Sequence, residues 1–540
     1  MIPLAPWPQT PAAKSHCPCK HGALPNLFSL LLIILVTANY FVPFADLDFT
    51  WQIRTGEQIV RTGSLRPADA FTYTITGQQV PEFEWLYEVL LWCIWSVFGF
   101  GGLKLLKTVL VIMPCLLLSL RLRKEGVRWH GITLALLTAI FLLSQAWNLR
   151  PLYCTTIGLL VVSGWLRDFC MGRRPWGWWL PPVLLLWGNL HPGVIAGQGL
   201  LVGAIIWEWL NRWLTINPPL DREACGRLMQ IAGLALVASC ICPHPLERLL
   251  YPFRPEVSHP IQHIFSEMQP LYRAAWQPPY TLALVYVVAA LVGFSVVLRF
   301  RHYRLWEVGL LLGLAGLANL AVRCTLDWLM ILLALGVPHF AVLLQQTARR
   351  CAPRTSVQRW LFRSERACKR MFQTPFLRFQ WYWPAAALTV LAAASLVPAL
   401  SRGMPIQNAG AWPVQALDWT VAHGLRGRFF GPPDYGSYVG WRLGDAGQCY
   451  VDTRGFFFPH ELLEDSHYVP QLGPDWRSRL RRILAYGTDY FLLETTGPRG
   501  KFWRTLQPYL GPPVYVDGQT VLLTAEQVQR AFAAFEQGSQ

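Results

Sequence analysis

Charge is scarce in this chain. Only 14% of its 540 residues are Asp, Glu, Lys or Arg, where a soluble domain carries about 25%. Hydrophobic residues make up 53%, so a conventional soluble globule is excluded. The 13 cysteines form no C-x-x-C pair and no disulfide framework. Cys17-Pro-Cys19 and Cys240-Ile-Cys242 are too isolated to make a four-ligand zinc site. They are read as structural or incidental. No internal repeat is present, and the short alternating segments of a β-barrel are missing. Acids are scarcer than bases, 31 against 47, giving a net charge of +16. That excess does not point to nucleic acid. The Arg and Lys gather in short stretches between apolar runs, the pattern of a protein whose cytoplasmic loops face anionic lipid.

What the chain has instead is apolar runs near the about 20 residues that cross a bilayer. They are Leu27–Phe44, Leu103–Leu120, Ile132–Trp147, Leu152–Leu166, Trp176–Leu190, Val194–Trp213, Leu228–Cys242, Tyr280–Leu298, Leu305–Val322, Leu326–Leu344 and Trp383–Leu400. A polytopic α-helical membrane protein with about eleven transmembrane helices is expected. Residues 1–25 are Pro-rich and read as a disordered cytoplasmic tail. Leu27–Phe44 is longer than the about 7–15 residues of a signal-peptide core, and no A-x-A-like site follows. It reads as an uncleaved anchor.

Residues 84–98 contain Glu84, Glu88, Trp85, Trp92 and Trp95, a mixture suited to a helix lying in the headgroup layer. If that segment lies flat, every strongly basic connector falls on the cytoplasmic side with the N-terminal tail; if it spans, the Arg121–Arg128 cluster lands opposite. The flat arrangement obeys the charge rule throughout. It places the first outer loop (46–83), Asn189–Gly193, Cys242–Pro279, Arg323–Asp327 and residues 401–540 outside the plasma membrane. The transmembrane domain then covers 26–400. Its basic cytoplasmic loop, 349–380, reads either as an amphipathic lipid-surface segment or as a solvated positive stop signal. In the last 140 residues Gly, Pro and charge rise. Val514–Val516 and Thr520–Thr524 flank Asp517-Gly518, a hairpin signal. A small extracytoplasmic α/β domain is expected there.

Polar residues worth a chemical reading collect on the outer face. Asp46 and Asp48 follow the first apolar run and, two apart, share one side of an extended chain. One of them can serve as a general base, or the pair can share a divalent cation. Asp48 can also simply cap the amphipathic helix that ends before Gly63. Arg54, Arg150, Asn189, His191, His244 and Arg323 lie in outer segments. Arg and His there can hold and neutralise a phosphate. Arg454, in Asp452-Thr-Arg454, fits an anionic ligand and a structural ion pair equally well.

The stretch Asp48-Phe-Thr-Trp-Gln-Ile-Arg-Thr-Gly, followed by Gly63, Pro67 and Asp69, resembles the first outer loop of GT-C-fold glycosyltransferases. It is most similar to a bacterial branch related to protein O-mannosyltransferases and the lipid A aminoarabinose transferase. Glu84-Trp85-Leu86, Arg150-Pro151 and Trp187-Gly-Asn189-Leu-His191 resemble motifs of the same branch, with Phe83 in place of a His and Pro192 in place of a Gly. The resemblance implies that Asp48 is the catalytic carboxylate and Asp46 the second acid. Phe49 stands where the family carries an acid next to the catalytic one. Asp434-Tyr-Gly436 resembles part of the Trp-Trp-Asp-Tyr-Gly element of oligosaccharyltransferase catalytic subunits, with Pro432-Pro433 for the Trp pair; a Gly-containing turn into a helix reads the same residues blandly.

The expected activity is transfer of a sugar from a polyprenyl-phosphate donor in the bilayer to a glycan, lipid or protein acceptor outside. Asp48 would act as base. Arg54, Glu84, Arg150, Asn189, His191, His244 and Arg323 would bind substrate. The rivals are a flippase for lipid-linked glycans, for which inverted repeats are not found, and a silent membrane scaffold, which Phe49 keeps open.

Overall fold

Lipid offers backbone N–H and C=O groups no partner beyond their own chain, so apolar runs become helices. The computed structural model of the chain describes residues 24–44, 47–143, 148–173, 176–250, 264–273, 279–350, 387–391, 393 and 412–538. Helix α1 (Leu24–Phe41) leads to α2 (Asp48–Thr62), an amphipathic helix closed by Gly63 at φ 68°. Helix α3 (Trp85–Lys124) is broken at Gly99 (φ 56°, ψ −150°). The break follows Phe98, the last residue of the segment read above as interfacial. Then come α4 (Trp129–Leu143), α5 (Leu152–Asp168), α6 (Leu180–Leu190), α7 (Val194–Leu214), α8 (Arg222–Ser239), α9 (Pro245–Leu250), α10 (Pro279–Leu298), α11 (Leu305–Leu320) and α12 (Thr325–Arg350).

Among the described residues, five segments are long and apolar enough to cross a bilayer: Trp85–Lys124, Leu152–Arg173, Val194–Leu214, Thr281–Leu298 and Val322–Leu344. Leu32–Phe41, Gly131–Leu142, Leu180–Leu190 and Leu305–Leu320 are shorter apolar helices. The chain is therefore a helical membrane protein. The expected count of about eleven is not reached among the described residues. The expected span Leu228–Cys242 overlaps α8, which ends earlier, at Ser239, and starts earlier because Asp221 caps it through Ala224 N (2.7 Å), so that it carries Arg222, Glu223 and Arg227 in its first turns. Most of Trp383–Leu400, all but the first two residues of the basic loop 349–380, and the tail 1–23 lie outside the described residues.

Helix α2 crosses α3 closely. A Cβ on Gly56 would overlap the Glu88 carbonyl, so only glycine permits the approach. The far ends of α3, α5 and α7 meet the start of α11 in a buried ionic network. Arg167 pairs with Glu307 at 2.5 Å, Arg304 with Glu208 at 2.9 Å and Arg121 with Asp168 at 2.8 Å. Glu208 and Glu307 are 1% and 2% exposed. Arg121, Arg167 and Arg304, from connectors read as cytoplasmic, thus meet at one end of the bundle, but Arg121 and Arg167 are inside it rather than solvated.

The C-terminal region contains α13 (Val414–Ala422), β1 (Gly427–Phe430), α14 (Pro433–Leu443), β2 (Gly447–Cys449), α15 (His460–Gln471), α16 (Trp476–Ala485), β3 (Tyr490–Glu494), α17 (Lys501–Leu506), β4 (Tyr515–Val516), β5 (Thr520–Thr524) and α18 (Ala525–Gly538). The sheet order is β2-β1-β3-β5-β4, with β1 parallel to β2 and β3, and β5 antiparallel to β3 and β4. Asp517 closes the expected hairpin by accepting from Gln519 N and Thr520 N. The first loop joins this sheet: Thr72 bridges Cys449 in parallel, Thr74 Oγ1 donates to Tyr450 O and Tyr73 bonds Thr488. Beneath that seam Arg454 is 3% exposed and forks between Asp452 and Asp69. Of its two expected roles, the structural ion pair is the one seen.

Candidate active site

Asp48 begins α2, whose N-cap is Leu47 with no side-chain capping bond. The capping role weighed for Asp48 is therefore not seen; its carboxylate turns to Arg150, with Oδ2 2.8 Å from Nη2. Arg150 is placed just before α5 by Pro151. Its other terminal nitrogen, Nη1, reaches Glu267 Oε2 at 2.5 Å, in a 3₁₀ turn at Ser266–Met268. Arg323, in the turn between α11 and α12, stands 3.9 Å from Glu267 Oε1. One guanidinium thus ties α2, the start of α5 and the loop before α10 together.

These groups open into a cavity of about 190 Å³. Asp48, Arg150, Ser266 and Glu267 form its membrane-domain wall; Trp412, Asp434, Ser437 and Thr453 close it from the C-terminal domain. Asp434 and Ser437 belong to α14, and Asp434 is held by Arg499 at 2.9 Å. Ser437 and Thr453 share a hydroxyl hydrogen bond of 2.8 Å. The resemblance drawn at Asp434-Tyr-Gly436 therefore lands on the cavity wall. Burial works to raise the Glu267 carboxyl, but the Arg150 and Arg323 guanidiniums outweigh it and hold it below the usual carboxylate range.

A second constellation adjoins the first. Glu84, the N-cap of α3, receives Gln52 Nε2 at 3.3 Å and stands 3.4 Å from His191 Nε2. His191 Nδ1 accepts from Gly193 N at 3.0 Å and lies 2.6 Å from Thr155 Oγ1. An accepting Nδ1 leaves the ring proton on Nε2, facing Glu84. Burial, with Arg323 nearby, depresses the His191 imidazole to about 3, so the ring is neutral. Burial raises the Glu84 carboxyl to about 8, against the opposing charge of Arg323 and with help from Glu82 and Asp48. Trp85 Nε1 donates to Asn189 Oδ1 at 2.8 Å, so the two motifs quoted from residues 84–86 and 187–191 meet.

Other expected site residues are placed elsewhere. Asn189 spends its amide on Leu185 O and Ile241 O, clipping α6 to the end of α8. Arg54 pairs with Glu57 and with Asp445 of the C-terminal domain, and His244 with Glu247. None of these three lines the cavity. Asp46 lies outside the described residues. Phe49 is fully buried against Phe44, so that position points into the bundle core. Sequence reasoning missed Glu267, Trp412 and Thr453. No spacing signal distinguishes Glu267 from Glu247 or Glu256 in its loop; its meaning comes from Arg150 alone.

Arg150 engages the Asp48 carboxylate, and Asp46, its partner in the expected divalent-ion site, lies outside the described residues. Among the described residues no group of three or more His, Cys, Asp or Glu is arranged to hold a metal.

No family model matches the sequence, and no curated protein matches it. The structure is similar to the crystal structure of the Archaeoglobus fulgidus oligosaccharyltransferase tethered by a disulfide to an acceptor peptide containing the NVT sequon. The likeness covers 87% of this chain and 68% of that one, with a TM-score of 0.50 and 11% identity. The chain shares the GT-C fold of that structure, with a C-terminal domain that closes over the mouth of a helical bundle.

Proposed function

We propose that this protein is a membrane glycosyltransferase that takes a sugar from a polyprenyl-phosphate donor and passes it to a glycan, lipid or protein acceptor on the outer side of the plasma membrane. The observation that carries the reading is the Asp48–Arg150–Glu267 array on the wall of a cavity closed by the C-terminal domain. An ionised carboxylate and a fixed cation within one small space are what an inverting displacement needs. Asp48 accepts the proton of the acceptor hydroxyl as its oxygen bonds to the anomeric carbon. The bond from that carbon to the phosphate oxygen breaks, and the leaving phosphate carries its new negative charge to Arg150 and Arg323. Ser437, Thr453 and Asp434 supply acceptors and donors for hydroxyls entering from the C-terminal side.

The reading is tested with purified protein and radiolabelled polyprenyl-phosphate sugars, scoring release of the lipid phosphate. Asp48→Asn is expected to lower transfer by about 10²–10⁴-fold, the worth of a general base, while donor binding persists. Unchanged transfer in Asp48→Asn removes Asp48 from the mechanism.

A further inference from the structure

The way charge is balanced around the cavity carries a further consequence. Three acids line it: Asp48, Glu267 and Asp434. Each faces a guanidinium of the protein. Arg150 binds Asp48 at 2.8 Å and Glu267 at 2.5 Å, and Arg499 binds Asp434 at 2.9 Å. Arg323 adds a further positive charge 3.9 Å from Glu267. Arg150 uses separate nitrogens for its two carboxylates, the fork geometry that only a guanidinium offers. Two carboxylates bridged from one point is also how oxygen ligands hold a divalent ion, at about 2.0–2.6 Å. Here that point is filled by a covalently attached cation. An incoming ion would have to displace it and then sit beside the guanidiniums of Arg150 and Arg323.

We propose that Arg150 is the resident cation of this site, occupying between Asp48 and Glu267 the place a divalent ion would take, so that the site works without metal. The guanidinium stays charged at any physiological pH, so the site's electrostatics do not depend on metal supply. The catalytic meaning of this rests on the function proposed above; the metal-binding behaviour does not.

The test measures Mn²⁺ binding to the full-length purified protein by electron paramagnetic resonance, alongside Asp48→Asn, Arg150→Ala, Arg150→Lys and Arg150→Ala/Asp48→Asn. Wild type is expected to show no saturable site that Asp48→Asn abolishes. Arg150→Ala uncovers the two carboxylates and is expected to gain such a site, which the double variant loses. Arg150→Lys keeps the charge without the fork and is expected to gain none. A saturable Mn²⁺ site in wild type that Asp48→Asn removes would overturn the proposal. So would folded Arg150→Ala, with wild-type elution and circular dichroism, that gains no site. If Arg150→Ala does not fold, the wild-type and Asp48→Asn comparison decides alone. In the transfer assay, activity is expected to persist in EDTA. Absence of any transfer, with the Mn²⁺ results as expected, would sink the glycosyltransferase reading and leave the resident cation standing.

Discussion

Glu84 faces Gln52 and His191 at contact distance and feels Arg323, Arg150, Glu82 and Asp48. Its carboxyl is raised from 4.5 to about 8, chiefly by burial. Between those values the folded protein holds a proton that the unfolded chain has released, so stability falls as pH rises through that window. One such proton sets a slope of about 1.4 kcal/mol per pH unit at most. Glu84→Gln is expected to flatten the decline of the unfolding midpoint between pH 5 and pH 8, read by thermal unfolding in detergent. Glu82, raised chiefly by burial, keeps its own share of the slope. Glu267 works with the opposite sign: its depressed carboxyl adds stability above its unfolded value and loses it as pH falls. A midpoint profile identical in wild type and Glu84→Gln would show that Glu84 is ionised in the fold.

At the scale of elements, the break in α3 depends on one residue. Gly99 holds φ 56° and ψ −150°, close to a region that is essentially glycine's alone. Gly99→Ala is expected to cost about 1–3 kcal/mol and to lower the unfolding midpoint; an unchanged midpoint would mean that the two halves of α3 straighten at no cost. Much at this level was legible beforehand. Apolar length marked the spans because the bilayer has a fixed thickness, and Gly63 marked the end of α2 because a helix closes through a left-handed residue. Asp517-Gly518 marked a hairpin for a similarly local reason. The start of α8 is invisible to hydropathy, because Arg222, Glu223 and Arg227 fill its first turns, although Asp221 before Arg222 is a capping signal. The pairings of Arg454 with Asp69 and of Arg150 with Glu267 span 385 and 117 residues. No local pattern encodes which arginine meets which acid over such separations.

At the scale of the whole molecule, the two ends of the bundle use charge differently. The site end keeps its ions at a cavity. The far end buries them among α3, α5, α7 and α11. Removing one partner of a buried pair strands the other, at a cost of about 3–5 kcal/mol, whereas replacing both with apolar groups is close to neutral. Arg167→Leu is therefore expected to destabilise the protein strongly in thermal unfolding, because Glu307 at 2% exposure loses its 2.5 Å partner. Arg167→Leu/Glu307→Leu should recover most of the loss. A double variant as unstable as the single one would show that the pair is needed as charge and not merely as packing.

The seam where Thr72 pairs with Cys449 and Asp69 meets Arg454 has a consequence for modularity. A segment early in the chain completes the edge of a sheet made by its end, so the boundary between the two domains cannot be found by cutting the sequence once. A chimaera that grafts a foreign tail onto this bundle has to import residues 64–83 with it, or leave an aspartate stranded in the join.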